Sequence, residues 1–479
     1  MRMHASWVAS LTLQERLRPH SRYLHEGMID YCARLASLFP PELCVVYMVT
    51  SGSEANDLAL RMARAATHGG EGTDVIVLSG AYHGHTQDLI EISPYKQDGP
   101  GGRAQPAHVL KVAAPDPLRR PQSSGTAYAL PVGRAVERAC ERRRSGLGGG
   151  AAAFVVEAIL GCGGQIPLPA GYLREAFALA RAGGSLCVVD EVQTGFWRTG
   201  GATPWAFSEH EVTPDIVTLG KPIANGYPCG AVVTTRAVAD AFGTTGMEFF
   251  ATFGGTPAAA AAATATLDAL ERMALSDRAR ERGAQLLTGL HELAERFEFL
   301  AEARGRGLFV GLEVVRRARD VRASAHTPAP ARASWIVRRV RDWRVLISTD
   351  GPFDNVLKMK PPMVVSAGDI EYLLRALRHA CEELAASGGD NEVARQVERD
   401  EDARAPRLRA DCTPSITDGE SVRIACAAPV SLAYRQWTSE GWRRELACAA
   451  AGASAVLLAL ALARALWRPS ATPARRGLS

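Results

Sequence analysis

Lysine is scarce in this chain of 479 residues, although basic side chains are common. Among 55 lysines and arginines, the only lysines are Lys96, Lys111, Lys221, Lys358 and Lys360. An arginine guanidinium stays protonated, whereas a lysine amine can lose its proton and attack carbon. Each of these lysines is therefore a candidate for chemistry that arginine cannot perform.

Cysteine pairs and an excess of charge are also missing. The ten cysteines form no Cys-x-x-Cys pattern, so we expect neither a metal site nor a disulfide framework, and a reducing compartment suits them. The formal net charge of +4 offers no electrostatic reason to expect nucleic acid as a partner. An apolar fraction of 47% excludes a wholly disordered chain, and the length allows about two to three domains.

Short apolar runs alternate with helical patterns between about 43 and 236, which is typical of βαβ units around a mostly parallel sheet. The runs are continuously apolar, so we expect an α/β fold whose strands are buried on both faces. The predicted strands are 45–49, 74–78, 109–113, 152–156, 186–189, 216–219 and 230–234. Helices are predicted at 172–181, 258–274 and 279–297.

The residues after about 300 predict a second, smaller α+β unit. Its predicted strands are 308–314, 345–348 and 356–359, and its predicted helices are 334–342 and 369–384. The whole chain then comprises an N-terminal helical segment at 1–42, a large cofactor-binding domain at 43–300, a small C-terminal domain at 301–387, a disordered tail at 388–445 and an apolar helix at 446–467.

The segment 446–463 contains eighteen residues without a charge. That length is at the short end of what spans a bilayer, and much of the segment is alanine, which contributes little to membrane insertion. A membrane segment, a surface helix and a tail without a role are the three interpretations.

Small polar residues at Ser51, Gly52 and Ser53 lie between the first predicted strand and an amphipathic helix. Backbone N–H groups at a helix N-terminus attract anions, so this turn is a candidate cradle for a phosphate. The alternative is that Ser51 only caps the helix.

Other reactive side chains follow the ends of predicted strands, where open parallel sheets bind ligands. Tyr82 and His83 follow the second strand, and Asp190 ends a later apolar run. Burial of Asp190 is costly unless a cation such as a protonated pyridine nitrogen meets it; the alternative is a solvated acid. Lys221 also follows a strand, where desolvation would lower its pKa and make it a nucleophile or general base.

A phosphate cradle, an aromatic ring, a buried carboxylate and an isolated lysine are together what a pyridoxal phosphate enzyme needs. The cofactor is an electron sink, the lysine holds it as a Schiff base, and the carboxylate keeps its ring nitrogen protonated. With the motifs in this order, the stretch from about 21 to 385 resembles the class III, ornithine-aminotransferase-like, pyridoxal phosphate enzymes of fold type I. The resemblance implies a large domain with a mostly parallel sheet and a smaller α+β C-terminal domain.

Within that family the closest resemblance is to the phospho-lyases that act on phosphoethanolamine or phosphohydroxylysine. The matching strings are SRYLH at 21–25, SGSEANDLAL at 51–60, AYHGH at 81–85, ISPYK at 92–96, CGGQI at 162–166, TFGG at 252–255, STDGP at 348–352 and LKMKPP at 357–362. The resemblance implies that Gly52 and Ser53 bind the cofactor phosphate, and that Tyr82 stacks on the cofactor ring beside His83.

The same resemblance implies the remaining cofactor contacts. Asp190 would pair with the pyridine nitrogen, Gln193 would reach the phenolic oxygen, and Lys221 would form the Schiff base. Thr252 would reach the phosphate of the neighbouring subunit's cofactor, which implies a homodimer or a tetramer. A mitochondrial location is also implied, with the cytoplasm or a membrane surface as alternatives.

The substrate side of the predicted site departs from the amino-acid aminotransferases of this family. These enzymes usually have arginine where this chain has His85 and Lys358, so a bidentate clamp for a carboxylate is missing. The candidate partners for a substrate phosphate are His85, Lys96, Lys358 and Lys360, each lysine having the alternative of a surface charge. We therefore expect elimination of phosphate from phosphoethanolamine, giving acetaldehyde, ammonia and phosphate.

Three other functions stay open: a phosphohydroxylysine phospho-lyase, a class III aminotransferase, and an inactive, truncated homologue. Family members have a longer segment before the string at 21–25 than this chain has. Trp197 stands where the family has glycine, which predicts a crowded loop near the cofactor.

Overall fold

The computed structural model describes residues 24–247, 249–316 and 327–387, and Arg395. The chain divides into two units, 1–397 and 398–479, and all the described residues belong to the first. Apart from Arg395, the predicted tail at 388–445 and the whole apolar segment at 446–467 lie outside the described residues. Within the described ranges, no helix is long and apolar enough to cross a membrane.

A seven-stranded sheet forms the centre of the large domain. Its strands are β1 (Val45–Val49), β2 (Asp74–Leu78), β3 (Val109–Val112), β4 (Ala151–Glu157), β7 (Leu186–Asp190), β8 (Ile216–Leu219) and β9 (Gly230–Thr234), in the order β1-β9-β8-β7-β4-β2-β3. Only β9 is antiparallel to its neighbours, β1 and β8. Each predicted strand is confirmed with ends that agree to within one residue, and two short strands, β5 (Ile159–Leu160) and β6 (Ile166–Pro167), form a separate hairpin.

The inner strands of the large sheet are buried on both faces, as predicted, whereas the edge strands β1 and β3 are only partly buried. All five residues of β2 are buried, and its alternate side chains enter different apolar clusters: Ile76 and Leu78 join one, and Val75 and Val77 join the other. Successive side chains of a strand point to opposite faces, so both clusters must be covered by helices.

The helices around the large sheet are α1 (Glu26–Ala36), α2 (Gly52–Ala66), α3 (Gln87–Glu91), α4 (Pro94–Gln97), α5 (Leu130–Arg144), α6 (Tyr172–Ala182), α7 (Arg236–Gly243) and α8 (Pro257–Arg272). The next helix, α9 (Leu275–Arg296), packs Leu286, Leu290 and Leu293 into the small-domain core. In α2, buried residues recur at Ala55, Leu58, Ala59 and Met62, which is the spacing of one helical face. This face packs α2 on the sheet, so the N-terminus of the helix lies at the end of β1.

A four-stranded antiparallel sheet forms the small domain, in the order β10-β11-β13-β12. Its elements are β10 (Leu300–Arg306), β11 (Phe309–Val314), β12 (Ser348–Asp350), β13 (Val356–Met359), α10 (Pro330–Asp342) and α11 (Ala367–Ala386). The predictions of β11, β13 and both helices are confirmed, because each has a clear apolar pattern.

Two strands of the small domain were not predicted correctly. Strand β10 was missed because Glu302, Arg304 and Arg306 interrupt its apolar pattern. The predicted strand at 345–348 is wrong: β12 begins only at Ser348, and Val345 packs against the small-domain core in the segment that follows α10. Leu346 is 79% exposed, so this short apolar run is neither a strand nor a buried segment, which β propensity alone could not show.

Two consecutive non-glycine residues, Phe196 and Trp197, have φ angles of 60° and 59°. This left-handed region favours glycine because it has no Cβ, which is the physical reason to expect glycine at position 197. The Trp197 side chain is half-buried against the large-domain core, and the backbone N–H of Trp197 donates to the Pro204 carbonyl over 3.0 Å. Packing therefore holds a turn that the backbone alone disfavours.

Candidate active site

The turn after β1 lies directly against the turns after β7 and β8. Ser51 caps α2 by accepting from the Glu54 N–H over 3.1 Å. A Cβ on Gly52 would lie 2.7 Å from Cγ1 of Val192, and a Cβ on Gly220 would lie 3.0 Å from the Gly52 Cα atom. Only glycine permits these approaches, which bring three strand ends together.

Ser53 connects this turn to the one that carries Tyr82 and His83. Its Oγ atom accepts from the His85 N–H over 3.4 Å, and Gly84, at φ 146°, has no space for a Cβ beside it. The first N–H groups of an α-helix lack intrahelical partners and lie at the positive end of its dipole. Gly52 and Ser53 therefore fit the contacts that an anionic group requires, and the capping role of Ser51 is compatible with this function.

Asp190, the last residue of β7, has a buried carboxylate with three donors. His83 Nδ1 and Asn56 Nδ2 both lie 2.9 Å from Oδ2, and the Val192 N–H donates to Oδ1 over 3.0 Å. Since a carboxylate only accepts, Nδ1 is the protonated nitrogen of His83 in this arrangement. Thr218 donates to Asn56 Oδ1 over 2.7 Å and fixes the orientation of the amide.

Asn56 belongs to the site, but sequence reasoning assigned it no role. It is 2% exposed and also donates to the His83 carbonyl over 2.7 Å. A signal was available: Asn56 interrupts the apolar face of α2 next to Ala55. A buried polar group requires hydrogen-bond partners, so an amide in that position indicates a buried network.

Glu157 is a second buried carboxylate that sequence reasoning missed. It ends β4 directly opposite Asp190 in the parallel register, and accepts from the N–H groups of Tyr82 and Gly161 over 3.2 and 3.0 Å. Burial raises its pKa to about 7; the charge of His83 lowers the value, and that of Asp190 raises it further. The signal was the same as for Asp190, an acid that ends an apolar strand.

Tyr82, Tyr95 and Lys96 lie together after β2. The two tyrosine rings meet edge to face with centroids 6.2 Å apart, and Lys96 Nζ lies 5.9 Å from the Tyr82 centroid and 5.3 Å from that of Tyr95. Burial raises the pKa of Tyr82. The structure thus places one predicted substrate residue, Lys96, beside a predicted cofactor residue.

The other two candidate lysines come from the small domain. Lys358, on β13, lies 2.9 Å from both carboxylate oxygens of Asp350. Lys360 Nζ donates to Gln193 Oε1 over 2.7 Å, across the boundary between the domains. Burial and the charge of Lys358 lower the pKa of Lys360 to about 8.

Lys221, His85 and Thr252 are exposed in the isolated chain. The expectation that burial desolvates Lys221 is therefore wrong for the chain alone, although its neighbour Gly220 contacts the Gly52 backbone. Thr252 lies on a turn whose next glycine, Gly254, packs against the backbone of β1. Among the residues described, no group of three or more His, Cys, Asp or Glu side chains is arranged to hold a metal ion.

Comparison with curated proteins finds a family model and several named relatives. Residues 15–381 match the model described as aminotransferase class-III. A Drosophila melanogaster protein named alanine–glyoxylate aminotransferase 2-like is 41% identical over 368 residues, which cover 75% of this chain and 72% of the relative. The human mitochondrial alanine–glyoxylate aminotransferase 2 is 33% identical over 379 residues (75% and 71%), and the mitochondrial homolog 2 of Arabidopsis thaliana is 35% identical over 370 residues (76% and 72%).

Comparison with solved structures finds the same architecture. A phospholyase from Arthrobacter in complex with phosphoethanolamine is 34% identical, has a TM-score of 0.72, and is matched over 79% of this chain and 86% of that one. An omega-transaminase from Thermomicrobium roseum is 27% identical with a TM-score of 0.70 (79% and 84%). An amine transaminase from an uncultivated Pseudomonas species, in its PLP-bound form, is 27% identical with a TM-score of 0.70 (79% and 87%).

Glu191, next to Asp190, gives the stability of the site region a pH dependence. Its buried carboxylate accepts from the Phe207 N–H over 2.9 Å and from the Thr194 hydroxyl. Burial raises its pKa from 4.5 to about 7, so the folded state binds a proton that the unfolded chain releases between these pH values. The stabilisation is complete below pH 4.5 and is lost as the pH rises to about 7.

We predict that Glu191→Gln removes on the order of 3 kcal/mol of pH dependence from the free energy of unfolding across this window. The amide can accept from the Phe207 N–H and donate to the Thr194 hydroxyl, so the fold is retained. Urea unfolding of both proteins from pH 4.5 to 7.5 measures the difference. Glu137→Gln, at an exposed position of α5, is the control, and an equal effect of the two substitutions would contradict the assignment.

Proposed function

Because the chain belongs to the class III aminotransferase family and has pyridoxal phosphate as its cofactor, we propose that it is a phospho-lyase acting on phosphoethanolamine. Elimination would release inorganic phosphate, and hydrolysis of the remaining enamine by one water molecule would give acetaldehyde and ammonia. The observation that carries the proposal is the half-buried Lys360, which reaches Gln193 at the predicted cofactor edge. The similarity to the Arthrobacter phospholyase supports it.

The residues at the strand ends fit pyridoxal phosphate. The cradle at Gly52 and Ser53 matches its phosphate, and the oriented carboxylate of Asp190 matches its protonated ring nitrogen. Gln193 would contact the phenolic oxygen, and Tyr82 would cover one face of the ring. When bound, the cofactor supplies an electron sink that stabilises negative charge on the substrate carbon next to the amine.

Both domains would contribute residues to the reaction, Lys221 from the large domain and Lys360 from the small one. Lys221, exposed after β8, would hold the cofactor and, once freed by the substrate amine, would remove the proton from the adjacent carbon. Lys360 would hold the phosphate on the neighbouring carbon and stabilise its developing charge as it leaves. His85 and Lys96 remain candidate contacts at the mouth of this site.

We predict that borohydride reduction attaches the cofactor covalently to Lys221. Only a lysine amine linked to the cofactor aldehyde is trapped in this way, so Lys221→Ala should give no adduct, whereas Lys111→Ala should give the normal one. Peptide mass spectrometry locates the label. A label on Lys96 or Lys111 would overturn the assignment of Lys221.

We also propose that the protein is a homodimer with composite sites, because Thr252 lies on an exposed turn between Phe250 and Phe253, whose side chains are 50% and 61% exposed. Thr252→Val should weaken cofactor retention without changing the mass measured by light scattering, since only the hydroxyl is lost. Thr244→Val, at another exposed threonine, is the control. A fully active monomer would refute this proposal.

We also propose that the protein is located in mitochondria. This location is supported by the family resemblance and by the names of the human and Arabidopsis relatives. Fractionation of cells that express the full chain distinguishes it from the cytoplasm and from a membrane surface.

The second candidate function is an aminotransferase, because several relatives carry that name.

We predict that the protein releases phosphate and acetaldehyde from phosphoethanolamine without any keto acid, since a lyase regenerates the aldehyde form of its cofactor in each turnover. An aminotransferase would stop after one half-reaction until an acceptor was added. Phosphate and aldehyde assays, with and without pyruvate, measure the difference.

The outcome that favours the aminotransferase is equally specific. It is acceptor-dependent turnover of an amino acid, such as alanine or ornithine, together with no phosphate release from phosphoethanolamine. Phosphate release from phosphohydroxylysine alone would instead retain the lyase chemistry and change the substrate.

A further inference from the structure

Lys358 and Lys360 have different electrostatic surroundings, although only one residue separates them. The Lys358 ammonium lies 2.9 Å from both oxygens of Asp350, whose side chain is 5% exposed. Gln165, from the large domain, donates to Asp350 Oδ2 over 2.9 Å and to the Gly161 carbonyl over 2.8 Å. Asp350 is therefore held in place, and it neutralises the charge of Lys358.

Lys360 has no such carboxylate partner among the described residues. Its ammonium donates to the neutral amide oxygen of Gln193 over 2.7 Å and lies 3.9 Å from the centroid of the Phe309 ring. Its direct contacts are thus an uncharged acceptor and an aromatic face, and no described carboxylate forms an ion pair with it. The Lys360 ammonium therefore lies against Gln193, three positions after Asp190 in the chain.

We propose that Asp350, fixed by Gln165, is a specificity-determining residue that neutralises Lys358 and leaves Lys360 as the lysine that binds the substrate phosphate. This inference rests on the proposed function. It adds that the two lysines have different roles. The Lys358–Asp350 ion pair is structural, whereas Lys360 binds the substrate phosphate.

The charges around Lys360 make the proposal measurable. Burial and Lys358 lower its pKa to about 8, whereas Asp350, Cys162 and Glu157 raise it. Lys358→Met should therefore raise the pKa of Lys360, and Asp350→Asn should lower it, each by about 1 pH unit. A merely structural role of Asp350 would not produce opposite shifts.

The first experiment uses the holoenzyme labelled with 13C at the ε-carbon of lysine, because five lysines give few resonances. Lys360 is assigned by its absence in Lys360→Met, and its titration is followed in the wild type, Lys358→Met and Asp350→Asn. Lys111→Met, which removes an exposed lysine paired with Asp98, is the control and should leave the titration unchanged. Equal shifts in one direction would overturn the proposal.

The second experiment adds inorganic phosphate to the same labelled holoenzyme and measures phosphate release from phosphoethanolamine. Inorganic phosphate should change the chemical shift of the Lys360 resonance and leave that of Lys358 nearly unchanged. Lys360→Met should reduce kcat/KM roughly 10- to 100-fold, with partial recovery in Lys360→Arg, whereas Lys358→Met should cost less than about 5-fold at pH 7. Equal losses in the two methionine variants would overturn this difference in roles.

The two proposals fail in different ways. If the wild type releases no phosphate from phosphoethanolamine, but inorganic phosphate still shifts only the Lys360 resonance, the proposed function is wrong, whereas the assignment of Lys360 rather than Lys358 as the lysine that binds phosphate stands. If phosphate is released and both lysine resonances move equally, the function stands and the inference is wrong.

Discussion

The buried amide of Asn56 is the interaction on which the geometry of the site depends. It joins four segments that are far apart in the sequence: its own helix α2, the turn at His83, the end of β7 at Asp190, and β8 through Thr218. An unpaired polar group in this dry environment costs about 1–3 kcal/mol, so the four segments cannot shift independently. The phosphate cradle at Gly52 and Ser53 and the Asp190 carboxylate are consequently held at a fixed distance from each other.

The loop at 161–165 depends on a second set of polar contacts, which cross the domain boundary. The Gly351 N–H donates to the Cys162 carbonyl over 2.9 Å, and Arg304 Nε donates to the Gly164 carbonyl over 2.8 Å. Gln165 reaches Asp350 in the same region. Because the small domain carries Lys358 and Lys360, these contacts determine where the two ammonium groups lie relative to the large-domain sheet.

A buried ionic network centred on Glu313 also joins the two domains. Its carboxylate pairs with Arg119 of the large domain and with Arg304 of β10, and it also accepts from Asn355 over 2.9 Å. Removing charges from water is costly, and the loss of one partner would leave an uncompensated buried charge, so Arg119 and Arg304 are held against Glu313. The network therefore supports the positions of the lysines without touching the predicted cofactor edge.

Local patterns in the sequence were sufficient for much of the fold and part of the site. Strand β2 is uniformly apolar and α2 has one apolar face, so their elements followed from periodicity alone. Asp190 could be identified because an acid ends an apolar run. Glu157 was missed although the same pattern was present, and β10 was missed because charged residues interrupt its apolar pattern; Arg304 among them is buried through its pairing with the distant Glu313.

By itself, the sequence determined the class of fold, the order of the strands along the chain, and the family to which the motifs belong, because these depend on neighbours in the chain and on the order of short strings. Only the tertiary structure decided that Lys221 is exposed, that Asn56 orients Asp190, and that Lys358 is neutralised while Lys360 is not. Charge and burial at a site are set by groups that come together from distant strands and from both domains, and spacing along a chain does not report those distances.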